Sequence, residues 1–224
     1  MRTDSMVVVR RTLLGLLGGL LVLPGTASAA LVTSLPNSAY IQLPALNYFG
    51  PGPQSFNGVD WYSENATDQG GSVYGYTGGY GFLGNGLWDG TLGPMAGLNN
   101  SFDRWGSQDT MTFEFQTPVS IVGGFINYVP GGSTPTTIAV YDAANNLLDS
   151  YNLTFVTGNG LNLGQTLGFD VGAPVIKYFR MTGNYIGIVG QTGNDIGIPE
   201  PGALLLLGTG LLLSVGFGRR RLTR

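Results

Sequence analysis

The sequence predicts an all-β chain: a single β-sandwich or jelly-roll-like ectodomain with a signal peptide before it and a C-terminal transmembrane helix after it. Three observations predict this. Short β-prone runs recur between residues 30 and 190, with turn signals roughly every 8–15 residues. No long amphipathic helix interrupts them, which excludes the alternating βα architectures. Each end of the chain carries an apolar run bordered by arginines, set apart from the glycine-rich middle.

The elements follow in chain order. Residues 1–29 have the three parts of an export signal: Arg2, Arg10 and Arg11, an apolar run over 13–23, and the small residues Ala27-Ser28-Ala29 after Pro24-Gly25. Ala27 and Ala29 sit at the spacing a signal peptidase needs, so cleavage is expected after Ala29. The run of 11 residues is short beside the roughly 20 of a membrane span. The competing reading is an uncleaved N-terminal anchor.

The ectodomain follows, over 30–190. Residues 40–43 read as a first strand, and Pro51-Gly52-Pro53 as a turn. Residues 73–76 and 80–82 read as short strands around Gly78-Gly79. Over 110–115, Met111, Phe113 and Phe115 alternate with polar residues, the period of a half-buried strand. Residues 119–128 form another apolar run, in which Gly123-Gly124 marks a bulge or a close backbone approach. Residues 137–141 and 147–155 flank an Asp142–Asn146 turn as a hairpin. Strands are also expected over 166–169, 175–181 and 185–189. Residues 191–198 read as a polar linker.

The last segment, 199–224, has its own pattern. Pro199-Glu200-Pro201 precedes an uncharged, leucine-rich stretch over 202–218, and Arg219, Arg220, Arg221 and Arg224 close the chain. Seventeen apolar residues are at the lower limit for spanning a bilayer. The prolines set a helix start, and the basic tail at 219–224 is expected to remain cytoplasmic. In this order the three features resemble the PEP-CTERM sorting signal, a tail also described as an ice-binding-protein C-terminal domain. The resemblance covers Pro199 to Arg224. It implies recognition in the inner membrane by exosortase, then delivery to the cell surface or extracellular matrix of a Gram-negative-type envelope. An ordinary single-span membrane protein is the competing reading. The stretch 110–189 also resembles β-sandwich ectodomains found before such tails, some of them similar to carbohydrate-binding jelly rolls.

Composition limits the chemistry. Between residues 30 and 198 there are 11 acidic and only 3 basic residues, so nucleic acid is not an expected partner. The chain has no cysteine and no histidine. That removes disulfides, thiolates, the commonest general base and the commonest zinc ligand. An envelope glycoside hydrolase would have to use carboxylate pairs, of which Asp60/Glu64 and Asp103/Asp109 are the candidates. Asp60, Asp103 and Asp109 are also candidate Ca2+ ligands, because loop acids and carbonyls suit a hard cation. Solvated loop acids are the alternative. Trp61, Trp88 and Trp105 are candidate ligand-facing aromatics for a polysaccharide, since sugar C–H faces pack on flat rings. Ordinary core packing competes with that reading. The expectation is a non-enzymatic structural, adhesive or carbohydrate-contacting module.

Overall fold

A computed structural model describes residues 29–43, 47–65, 70–74, 80–99, 108–131 and 134–193. The expected signal segment up to Ala27, the 202–218 helix and the Pro199-Glu200-Pro201 motif lie outside the described residues, as do Asp103 and Trp105. Among the described residues no helix is long and apolar enough to cross a membrane.

The described chain is all-β. Its strands are β1 (Ala30–Val32), β2 (Ala39–Tyr40), β3 (Gln54–Phe56), β4 (Val59–Ser63), β5 (Ser72–Tyr74), β6 (Tyr80–Gly81), β7 (Leu87–Trp88), β8 (Met95–Asn99), β9 (Asp109–Val119), β10 (Ile121–Tyr128), β11 (Thr137–Tyr141), β12 (Leu147–Asn152), β13 (Gln165–Asp170), β14 (Ile176–Gly183) and β15 (Tyr185–Gly193). The first sheet runs β1-β13-β10-β15-β8-β5, with β2 also on β15. The second runs β12-β11-β14-β9-β4-β3. Strand pairs within both are antiparallel.

Period-two alternation places the core. Val122, Ile126, Ile186, Ile188, Leu167 and Phe169 of the first sheet meet Trp61, Met111, Phe113, Ile138, Val140 and Phe179 of the second. The Phe169 and Phe179 rings contact edge-on across the gap, 6.5 Å apart. The two sheets therefore pack face to face as a β-sandwich.

The first sheet has a second cover on its other face. Phe82, Trp88, Met95 and Val189 form a smaller buried cluster there, under the β6–β7 hairpin. A buried asparagine holds this cap down. Asn85 donates to the Tyr128 carbonyl (2.9 Å) and accepts from the Thr157 amide (2.8 Å), so it closes three backbone segments with one side chain.

Several expectations change in detail. Residues 109–128 form two strands in different sheets, not a strand and a separate run. The crossing is at buried Ser120, whose amide donates to the Gly193 carbonyl at 3.1 Å. Gly123 and Gly124 keep an unbroken register with both neighbours, so they mark close approach and not a bulge. A Cβ at Gly123 would run into the Leu167 carbonyl, and one at Gly124 into that of Val189. The linker expected from 191 begins later. Gln191 to Gly193 continue β15, paired with β10 on one side, while Gln191 and Thr192 pair with β2 on the other. Backbone pairing there outweighs the polar side chains.

One row across the first sheet reads Ala30, Asp170, Ile121, Gly193 in register. The first strand thus begins, and the last strand ends, at the same end of the sandwich.

Candidate functional site

The outer face of the second sheet has no second cover among the described residues. Alternation sends Asp60 and Tyr62 outward from β4, because Val59, Trp61 and Ser63 point in. Thr110, Thr112 and Glu114 point outward from β9 by the same rule, and Tyr178, Arg180 and Thr182 from β14. The register makes two rows: Asp60, Glu114, Tyr178 and Tyr141 in one; Tyr62, Thr112, Arg180 and Ala139 in the next. A register shift between Ile176 and Tyr178 brings Lys177 to the same face.

Charge and aromatic rings interleave on this face. The Arg180 guanidinium lies over the Tyr141 ring at 4.3 Å and near the Tyr178 ring at 5.4 Å. This is the cation–π arrangement. Arg180 Nε pairs with Glu64 Oε1 at 3.7 Å, and Lys177 Nζ with Glu114 Oε1 at 3.2 Å. Lys177 also donates to the Phe115 carbonyl at 2.7 Å. Burial raises the Tyr62 phenol above its ordinary pKa of 10.0, and the Glu114 charge raises it further.

A groove of about 450 Å3 opens beside these rows. Its walls are the Pro51-Gly52-Pro53 turn on one side and Asp60, Tyr62, Glu64 and Glu114 on the other. Asp60 Oδ1, Thr112 Oγ1 and Arg180 Nε are buried on this face without a hydrogen-bond partner. Native proteins leave few such groups unsatisfied. The groups that line the groove are the Tyr62 ring and the carboxylates of Asp60, Glu64 and Glu114, which suit a ligand rich in hydroxyl or amine groups.

The sequence candidates fare unevenly. Asp60 lines the groove. Asp109 is at the far end of β9, on the inward side with Ser63, from which it accepts a hydrogen bond. Asp60 pairs with Glu114, five residues along β9 from Asp109, a separation of roughly 16 Å at about 3.3 Å per residue. They do not share a site, and among the described residues no three acidic groups come together to hold a metal ion. Trp61 and Trp88 must be corrected: neither exposes a ring face. Trp61 is wholly buried, stacks on Phe113 at 6.2 Å and donates to the Gly71 carbonyl at 3.1 Å. Trp88 is wholly buried in the cap, against Tyr80 at 5.5 Å. Packing claimed both, Trp61 between the sheets and Trp88 beneath the hairpin, as large apolar rings require. Ala29 is described and buried just ahead of β1.

Tyr141, Tyr178, Lys177 and Arg180 were not singled out from the sequence. One signal was present: two of the three basic residues between 30 and 198 fall within four positions, in Lys177-Tyr178-Phe179-Arg180. No family model, curated protein or solved structure matches this chain.

Proposed function

We propose that this is an exported protein of the cell surface or extracellular matrix, handled through its PEP-CTERM-like tail, whose sandwich contacts polysaccharide without catalysis. In this reading strands β8 to β15 are a jelly roll: β8, β15, β10 and β13 in one sheet, β9, β14, β11 and β12 in the other, as two interlocked Greek keys. The observation that carries the carbohydrate part is the face of Tyr62, Tyr141 and Tyr178 around Arg180, beside a groove lined by Asp60, Glu64 and Glu114. Half-buried tyrosines on a rigid sheet give contact area at little entropic cost. The export part rests on the two terminal segments.

A glycan array probed with the exported protein, with and without calcium, tests the first part. Binding to a subset of glycans is expected, reduced at least about tenfold by Arg180→Ala or Tyr178→Ala. An array without signal in both conditions removes the carbohydrate reading. Replacing Pro199, Glu200 and Pro201 by alanine in the host tests the second part. The variant is expected to remain in the inner membrane, and unchanged surface delivery would count against the sorting role.

The second reading, a carboxylate hydrolase, draws on Asp60 and Glu114 standing directly opposite one another in the groove. It is weakened by the ion pair that holds Glu114 to Lys177. Release of reducing ends from a bound glycan, abolished by Asp60→Asn, would establish it.

A further inference from the structure

The end of the sandwich at which the described chain stops is poor in charge. Gly193 lies there in one row with Ala30, Ile121 and Asp170. The stretches around it, 29–43, 117–122, 171–176 and 189–193, hold no Asp, Glu, Lys or Arg. Toward this end, Asp170 accepts from the Gly172 amide, and Asp142 from those of Ala144 and Asn146. What the charge-free stretches expose is largely apolar. Tyr40, paired with Gln191, is 58% exposed. Leu92 is 44% exposed, and both line a groove of about 220 Å3 with Leu43, Pro94 and Val189. Val175 is exposed in the loop whose first residue, Val171, donates to the Ser120 carbonyl. Eight residues, 194–201, separate Gly193 from the uncharged stretch 202–218. At roughly 3.3–3.6 Å per residue they reach ~26–29 Å at most. That is about the length of β15 itself, nine residues at about 3.3 Å each.

We propose that this end docks, through Tyr40, Leu92 and Val175, on the headgroup layer of the same bilayer that holds 202–218. The proposal rests on the reading of 202–218 as a membrane helix and adds an orientation to it. With that stretch in the bilayer, Gly193 stands no further from lipid than the tether allows. Contact is then intramolecular, with an effective concentration on the order of millimolar for a short tether, so a few apolar side chains suffice. Tyrosine suits a lipid interface because its ring is apolar while its hydroxyl stays wet. The 11 acids against 3 bases between residues 30 and 198 are repelled by anionic headgroups. A surface short of carboxylates is the one that approaches lipid against the least repulsion. A second copy of the chain fits less well. It would need about 800 Å2 from each partner, and these are separate side chains on strand ends and loops.

The chain has no cysteine, so Leu92→Cys, Val175→Cys, Leu161→Cys and Leu211→Cys each take a single spin label. Leu161 is the exposed control near the other end, where Asn127 donates to the Leu163 carbonyl. Each full-length variant is placed, one per disc, in phosphatidylcholine nanodiscs. Collisions with oxygen, which concentrates in lipid, are compared with those of an aqueous nickel chelate. The Leu92 and Val175 labels are expected to sense lipid, and the Leu161 label water. Tyr40→Asp should lower the docked-to-free ratio read at Val175 roughly tenfold. Its melting temperature should match the parent's, because the ring it replaces is exposed, so release is not mistaken for misfolding. Adding phosphatidylglycerol should weaken docking, and salt should restore it. A Leu211 label in water overturns the membrane-helix reading and the docking with it. A Leu211 label in lipid with Leu92 and Val175 in water overturns the docking alone. Tighter docking on the anionic disc overturns the apolar mechanism. Shielding that appears only with two chains per disc overturns lipid as the occupant in favour of a second copy.

Discussion

The two outward faces of the sandwich are built by the same alternation of side chains and end differently. On the first sheet, Phe82, Trp88, Met95 and Val189 are sealed beneath a hairpin that Asn85 locks in place. On the second, Tyr62, Tyr141, Tyr178 and Arg180 have no such lid among the described residues, and interleaved charge keeps them soluble. Aromatic content alone does not reveal a binding face. What separates the two is whether cations and carboxylates sit between the rings.

The largest expected effect is on the capped face. Trp88→Ala should cost roughly 3–5 kcal/mol in denaturant-induced unfolding, as deletion of a fully buried ring does. Trp88→Phe should cost much less, because the indole N–H it removes has no partner. On the open face, Tyr178→Ala should cost below about 1.5 kcal/mol, since the ring is only half-buried. Equal losses at the two positions would erase the distinction between the faces.

A smaller effect sharpens the same comparison. Burial alone raises Tyr80 on the capped side above 10.0, whereas Tyr62 is raised by burial and then by Glu114. For a group whose pKa is higher in the folded state, its contribution to stability is complete below the unfolded value and is lost as pH rises through the folded one. Both tyrosines therefore weaken the fold only in strongly alkaline solution. Glu114→Gln should shift the ultraviolet titration of Tyr62 downward and leave that of Tyr80 in place. A matching shift in both would mean that Glu114 acts through the fold as a whole.

The second half of the chain was the more legible. Its strands carry clean alternation, as in Met111, Phe113 and Phe115, and its turns carry Asp142 and Asn146, which the structure shows hydrogen-bonded to each other at 2.9 Å. The first half was read less well for two physical reasons. β4 is a five-residue strand whose Val59-Asp60-Trp61-Tyr62-Ser63 pattern is too short to stand out from its glycine-rich surroundings. β8 consists of Met95-Ala96-Gly97-Leu98-Asn99, buried on both faces, so it has neither alternation nor β-branched residues. Missing β4 meant that Asp60 was read as a loop acid with loop partners. Only strand pairing shows that its neighbour is Glu114, fifty-four positions away. The tyrosine–arginine face was hidden for the same reason, because its members come from β4, β11 and β14.

Gly193, where the described chain ends, belongs to a strand in the middle of its sheet, flanked by β10 on one side and β2 on the other. A load applied to a polymer held on the opposite sheet, and resisted at this residue, would pull β15 lengthwise against both neighbours. The ladder bonds would then share the strain and fail together, not one at a time. That is the direction in which a β-sheet resists pulling most, because its ladder bonds lie across the load.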